Sequence, residues 1–253
     1  MAIRYVTPLR EGGSLPAIVE ADDEGTYVLK FRGAGQGQKA LIAELVAGEL
    51  ARALGLPVPE IVFMELHPDL ARTEPDPEIQ DLIRASAGLN LALDYLPGSI
   101  TFDPIAEQPD ADLASAIVWF DAYVTNIDRT ALNTNMLIWH RRLWLIDHGA
   151  ALYFHHTWAN YRDRSHSPFS AIKDHVLLRF ASLLPAADSR MMEQITVEKI
   201  EHIIQLIPES WLGDSAFAGT DQHRQAYVEY LLSRLQSPRL FLEEAIRARS
   251  LYL

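Results

Sequence analysis

The chain's hydrophobic patterning shifts from mainly strand-like to mainly helical near residue 100, and that shift limits the folds open to it. Before it, apolar residues come in short bursts broken by turn residues: Tyr5-Val6, the pair Gly12-Gly13, residues 16–20, the turn at 22–25, then residues 26–31. A turn such as Asp22-Asp23-Glu24-Gly25 between two β-branched runs signals a hairpin. From 38 to 54 the spacing becomes helical, with Leu41, Leu45 and Gly48 on one stripe, and Gly55, Pro57 and Pro59 stop it. Strands at 61–66 and 89–96 follow, either side of a polar, proline-bearing stretch at 67–78. The first hundred residues therefore read as a small sheet carrying one helix.

Beyond that point the reading is helical, over 112–126, 172–184, 197–207, 220–236 and 238–248, with caps at Thr196 and Ser237. One hairpin interrupts it, with strands at 135–139 and 143–146 around His140-Arg141-Arg142. A strand-rich part followed by a helix-rich part gives an α+β class with two lobes, divided here into 1–98 and 99–253. Composition closes other routes. Lys and Arg number 22 against 34 Asp and Glu, a formal charge of −12 and the wrong sign for a nucleic-acid binder working through phosphate contacts. The absence of cysteine removes disulfide scaffolds, thiol nucleophiles and cysteine-ligated zinc. No run approaches about 18 apolar residues, and no apolar stretch follows a basic start, so a cytoplasmic protein without a membrane span is expected.

The densest polar cluster in apolar surroundings is Asn126-Ile-Asp128-Arg-Thr-Ala-Leu-Asn133-Thr-Asn135, just before the hairpin, and the hairpin ends in Ile146-Asp147-His148-Gly149. An Asp, an Asn five positions on, and an Asp-x-Gly returned by a hairpin form the arrangement used in phosphoryl transfer from ATP: one acid orients the attacking hydroxyl, and the amide and second acid hold Mg²⁺. A tight loop sets Asp128 beside Asn133, and the hairpin brings Asp147 back to them, as a hard, oxygen-seeking cation requires. Taken singly, Asp and Asn gather in loops because their side chains make local turns. An acid at the end of an apolar strand, where an unpaired carboxylate is costly, tips the balance toward a metal site.

Such a site needs a cation for the phosphates. Lys30 ends the apolar strand Tyr27-Val-Leu-Lys-Phe31; the competing reading is an edge-strand or solvent-facing lysine. On the following helix Glu44 is aimed to the core side with Leu41, Leu45 and Gly48, while Glu49 lies on another face within reach of Arg52. Two glycine stretches are candidates to lay backbone N–H groups over phosphates: Gly12, Gly13 and Ser14, or Gly33 to Gly37 before the helix. Neither is followed by the Gly-Lys-Ser/Thr of a Walker A loop.

In chain order these stretches (YVLKF, ELVAGELARALGLPVPE, NIDRTALNTNMLI, LWLIDHGAAL) resemble the HipA-like kinases of the protein-kinase-like superfamily across residues 5–155, and DRxxxN with a later D-x-G is similar to phosphatidylinositol 3- and 4-kinases. The resemblance implies a two-lobed kinase fold, with a small β-rich first lobe holding one key helix and a larger, mainly helical second lobe. It implies ATP and Mg²⁺ as cofactors and a serine/threonine protein kinase activity. Lys30 would contact the α- and β-phosphates and Glu44 steady it; Asp128 would be the catalytic base, and Asn133 and Asp147 the Mg²⁺ ligands. Asp94, Tyr95 and Leu96 would form the hinge offered to adenine, and Gly12, Gly13 and Ser14 the phosphate loop, with Ser14 a site of autophosphorylation. Asn135 and His148 would stand behind these groups.

The likeness departs from the toxin kinases in starting directly in the first lobe, and from eukaryotic protein kinases in having Asn126-Ile127 before the acid. A lipid or small-molecule kinase and a nucleotide-binding pseudokinase stay open beside the protein kinase, and the acceptor is an unidentified protein or small molecule. The histidines between His140 and His175 lack the spacing of a transition-metal motif and read as a polar lid, in which Ser165 and Ser167 are possible phosphate acceptors. Trp119, Trp139 and Trp144 read as core and hairpin packing.

Overall fold

A computed structural model describes residues 1–9 and 15–252. Gly12, Gly13 and Ser14 lie outside the described residues. The chain opens with β1 (Ala2–Pro8), β2 (Ala17–Ala21), β3 (Thr26–Lys30) and α1 (Gln38–Ala53), then β4 (Ile61–Leu66), α2 (Pro77–Ala85) and β5 (Gly88–Asp94). The sheet order is β1-β2-β3-β5-β4, all antiparallel, so β3 is the central strand and Lys30, opposite Leu91 of β5, is not an edge lysine. Leu29 and Ala92 join Met64, Leu66, Ile79 and Ile83 in a core on one face, while Leu91 joins α1 on the other. This is the alternation a pleated strand imposes.

The polar stretch at 67–78 conceals more structure than its sequence suggested. A 3₁₀ turn (Pro68–Thr73) leads into α2, so the first hundred residues carry two α-helices, α1 and α2, rather than the one expected. Asp76 caps α2 by accepting from the Glu78 amide at 3.0 Å, Pro77 occupies its first turn, and only Ile79 and Ile83 are buried. Ile79, Leu82 and Ile83 stand at i, i+3 and i+4, but nine residues repeat that stripe too few times for the period to stand out beside the prolines and acids around it.

The second part comprises β6 (Ile100–Thr101), α3 (Ala111–Tyr123), β7 (Met136–Trp139), β8 (Arg142–Leu145), α4 (Tyr161–Arg164), α5 (Leu184–Gln194), α6 (Val197–Gln205), α7 (Thr220–Arg234) and α8 (Leu240–Ser250). The β7–β8 turn has His140 and Arg141 both at positive φ (48° and 61°), the primed two-residue hairpin that matches strand twist. Residues 172–184 do not form the expected helix: 3₁₀ turns at Ser170–Asp174 and Leu178–Phe180 precede α5, which starts where the reading ended it. Pro185 explains the shift, since a proline in the first turn starts a helix. Thr196 caps α6 as expected, accepting from the Lys199 amide, whereas Ser237 caps nothing because α8 begins at Leu240.

Helix α1 packs on β4 and β5 and also on α6 and the turn Glu209–Trp211, and its apolar residues share one core with α3, the hairpin and the C-terminal helices. A helix covered on nearly every side reads as apolar all round, which is why its stripe in the sequence is broad. Among the described residues no helix is long and apolar enough to cross a membrane.

Candidate functional site

Lys30 leaves the central strand toward α1 and is met there by two acids from distant parts of the chain. Its Nζ donates to Glu44 Oε2 at 2.8 Å and to Asp147 Oδ1 at 2.6 Å. The Lys30 side chain is 11% exposed and Glu44 0%, while Asp147 keeps 39% of its surface. Burial opposes the charge on Lys30, but Asp147 and Glu44 outweigh it and raise the ammonium above its ordinary range. Burial likewise disfavours the Glu44 carboxylate, and Lys30 and His148 together hold it well below the usual carboxylate range. Glu49, the other candidate acid on α1, pairs with Arg52 at 2.7 Å on the opposite side.

Asp128 lies in the loop between α3 and β7. Its Oδ2 accepts from Asn133 Nδ2 at 2.8 Å and from Asn135 Nδ2 at 3.2 Å, and the Asn126 side chain accepts from its backbone amide. The amide of Asn133 thus turns toward Asp128, leaving Oδ1 as the free end of the side chain. Asn135 sits at φ 47° and Asp147 at φ 55°, left-handed positions that Asn and Asp tolerate better than most residues.

A buried knot that the motif reading passed over fixes this loop. Asp121, in the last turns of α3, accepts from Arg129 Nε at 2.6 Å, from Asn126 Nδ2 at 2.9 Å, and faces His175 Nε2 at 2.9 Å. Burial raises the cost of the Asp121 charge, and Arg129 and His175 overcome it, so the carboxyl is held far below its ordinary range. Arg129 Nη1 also donates to the Asn135 and Ile146 carbonyls, and Val176 N returns a bond to the Arg129 carbonyl at 3.1 Å. The sequence did carry a signal. Asp121 is a lone acid near the end of the apolar run Ala-Ile-Val-Trp-Phe, and such an acid is affordable only if paired.

The same backbone joins the two halves. The Ile146 amide donates to the Asn135 carbonyl at 3.0 Å, so Asp147 emerges where Asn135 reaches Asp128. Lys30, Glu44 and Asp147 form one cluster and Asp128, Asn133 and Asn135 a second, linked through the Asn135–Ile146 pairing and the Arg129 guanidinium. Among the described residues Asp147 is bonded through Oδ1 and Asn133 through Nδ2, so Asp147 Oδ2 and Asn133 Oδ1 are the side-chain oxygens not engaged by these bonds. Among the described residues no three His, Asp or Glu side chains converge as a metal cage. A carboxylate with an amide oxygen is a donor set of the kind Mg²⁺ accepts, since that ion takes one or two carboxylates and completes its shell with phosphate and water.

The other expected positions are distributed as follows. Asp94 closes β5 and pairs with Tyr27, and the Tyr95 amide is committed to the Thr26 carbonyl at 3.1 Å. Leu96 is buried. His155 is buried against Tyr227 Oη at 3.0 Å, and burial, reinforced by His156, keeps it neutral; the histidines after Asp147 form no metal site among the described residues. Ser165 is buried and bonded to the Arg162 carbonyl and Ser233, which withdraws it as a phosphate acceptor in this conformation, whereas Ser167 is exposed. Trp119 is wholly buried and donates to Asp188; Trp139 packs edge-on to Trp144 in the hairpin.

Comparison with known proteins agrees with this architecture. A family model described as HipA-like kinase matches residues 3–243. Among solved structures the chain is similar to the proinflammatory kinase CtkA of Helicobacter pylori, with a TM-score of 0.60 at 14% identity over 98% of this chain and 99% of that one. It is also similar to the Golgi casein kinase. The structure with Mn/ADP bound gives a TM-score of 0.52 at 13% identity over 95% of this chain and 73% of that one; a second structure gives 0.51 at 14% over 96% and 74%. No curated protein sequence matches significantly. The fold is protein-kinase-like, a β-sheet region followed by a mainly helical one.

Proposed function

The chain belongs to the HipA-like kinase family, and from that premise we propose that it transfers the γ-phosphoryl group of ATP, with Mg²⁺, to a serine or threonine hydroxyl of a protein. The observation that carries this reading is the double bond-making of Lys30, which ties β3 to Glu44 and, 117 positions along the chain, to Asp147. A cation so placed between two lobes (1–98 and 99–253) has no packing purpose that an apolar residue would not serve better.

Lys30 would hold the α- and β-phosphates, with Glu44 keeping its ammonium on that side. Asp128 would accept the acceptor hydroxyl's proton on Oδ1, because Oδ2 is engaged by Asn133 and Asn135. Asp147 Oδ2 and Asn133 Oδ1 would hold the metal, and the bound ion would neutralise charge on the transferred phosphoryl group. Since the Asp94 amide is spent on Glu60 and the Tyr95 amide on Thr26, adenine contacts along 94–96 would fall to the Asp94 carbonyl and the Leu96 amide. The Golgi casein kinase solved with Mn/ADP supports a nucleotide and a divalent ion in this fold.

The test is phosphate transfer from labelled ATP with Mg²⁺ to a mixed protein acceptor and to the chain itself. Asp128→Asn is expected to bind nucleotide normally and lose at least about a hundredfold in rate. Asp147→Asn, which keeps a residue tolerant of positive φ, is expected to lose Mg²⁺-dependent nucleotide binding. Wild-type turnover in both variants would reject the assignment.

A further inference from the structure

His148, the middle residue of Asp147-His148-Gly149, is wholly buried under α1, edge-on to the Phe120 ring with centroids 6.2 Å apart. Its Nδ1 lies 3.7 Å from Glu44 Oε1. Among the described residues neither ring nitrogen has a hydrogen-bond partner, and neither does Glu44 Oε1. Buried polar atoms are rarely left unbonded. Here two orphans face each other about half an ångström beyond the limit for an N–H···O bond, within the reach of a small side-chain rotation.

We propose that His148 is a positioning residue, donating from Nδ1 to Glu44 Oε1 and so tying α1 to the Asp147 turn by a link that does not pass through Lys30. The inference rests on the kinase reading for its purpose. Among the described residues the hydrogen bonds that join Glu44 to Asp147 run through the Lys30 ammonium, the group that phosphates would claim. Once Lys30 is shared with a nucleotide, something else must keep Glu44 at its station. The first turn of α1 is anchored separately, by Lys39 to the His155 carbonyl and Asp214 and by Gln38 to the Ser210 carbonyl. Those bonds lie more than a turn before Glu44, and the helix has no side-chain cap of its own. A neutral imidazole with its proton on Nδ1 suffices, and the other nitrogen stays buried. An apolar ring at 148 would pack on Phe120 equally well and would leave no orphan on that side, so the choice of histidine points to Glu44.

Packing and donation can be separated by two substitutions. His148→Phe keeps the volume and removes the donor; His148→Asn keeps a donor near the Nδ1 position and gives up volume. Thermal unfolding, amide exchange of residues 41–47 without nucleotide, and phosphate transfer are measured for both and for wild type. His148→Phe, which strands Glu44 Oε1 but removes two buried ring nitrogens, is expected to unfold no lower than His148→Asn, to exchange the α1 amides faster, and to lose roughly tenfold to a hundredfold in transfer rate, the worth of a hydrogen bond to a charged group. His148→Asn is expected to unfold a few degrees lower and to keep its rate within about threefold. The proposal is overturned if His148→Phe leaves α1 exchange and rate unchanged, or if rate follows stability across the two variants. If wild type transfers no phosphate, the kinase reading falls by itself, and the exchange comparison still decides whether the Glu44 link exists.

Discussion

Two buried charge clusters hold this molecule's centre, and they close differently. Around Arg129, both Asp121 and the guanidinium are 0% exposed, and the bonds they make end on the protein, at Asn126, His175 and the carbonyls of Asn135 and Ile146, with Arg129 Nη2 buried and unbonded among the described residues. Around Lys30, Glu44 is equally buried but Asp147 keeps more than a third of its surface, with one oxygen uncommitted. Fully desolvated ion clusters contribute little net stability over apolar packing, yet they set geometry because every alternative arrangement leaves a charge stranded. The Arg129 knot therefore works as scaffold for the loop of Asp128. The Lys30 cluster is built from the same materials with one side, that of Asp147, open to solvent.

Removing the cation from each cluster is the largest way to break this contrast. Arg129→Met strands the Asp121 charge with only His175 and an amide beside it, and should cost about 3–5 kcal/mol by denaturant unfolding. Lys30→Met should cost less, about 1–3 kcal/mol, since Asp147 turns to water and Glu44 retains His148 nearby. It should also abolish phosphate transfer. Equal stability losses would show that the two clusters do the same job.

Acid provides a smaller, graded version. Asp121 and Glu44 are both held below their ordinary range in the folded chain, so the unfolded chain takes up their protons first as pH falls. Stability attributable to them is complete above the unfolded carboxylate range, about pH 4, and is lost progressively below it. His155 acts in the same direction from higher pH: burial depresses its protonation, so its contribution begins to fade as pH drops through the ordinary histidine range near about 6.5. Unfolding free energies measured from pH 7 to pH 3 should fall in two stages, and Asp121→Asn should flatten the lower one. An unchanged lower stage in that variant would mean the Asp121 carboxyl is not held down by Arg129.

The same contrast explains what the sequence made legible. The Lys30 side was readable because its parts announce themselves against context: a lysine inside an apolar strand, an acid on the core stripe of a helix, an acid closing an apolar hairpin. The patterning shift near residue 100 was equally open and led to the α+β division into a sheet region and a helical one. The Arg129 knot was not read, because Asp121 is only one polar letter near the end of an apolar helix and its partners His175 and Asn126 carry no spacing rule; tertiary packing alone assembles them. Residues 67–85 and 172–184 misled for a related reason. The α-helices there, α2 and α5, bury two and four side chains and carry a proline in the first turn, so the Asp76 cap and the position of Pro185 outweigh periodicity. Ser165 looked like an acceptor in a polar segment, yet Arg234 pulls its carbonyl and that of Ser167 inward and its hydroxyl is consumed locally.

The smallest effect concerns the glycine after His148, and it separates a motif from a physical requirement. Gly149 is not at positive φ, and a methyl built there would stand 3.5 Å from Asp147 Oδ1, 3.7 Å from the Ala40 carbonyl and 3.7 Å from Glu44 Oε2, all ordinary contact distances. Gly149→Ala should therefore stay within about 0.5 kcal/mol of wild type in stability and keep phosphate transfer within about threefold. Gly149→Val adds two methyls against the first turns of α1 and should lose activity before stability, because the crowded atoms belong to Glu44 and Asp147 and not to the core. If alanine is as damaging as valine, the turn must close further on α1 when nucleotide binds, and the Lys30 cluster is tighter in its working state than it stands here.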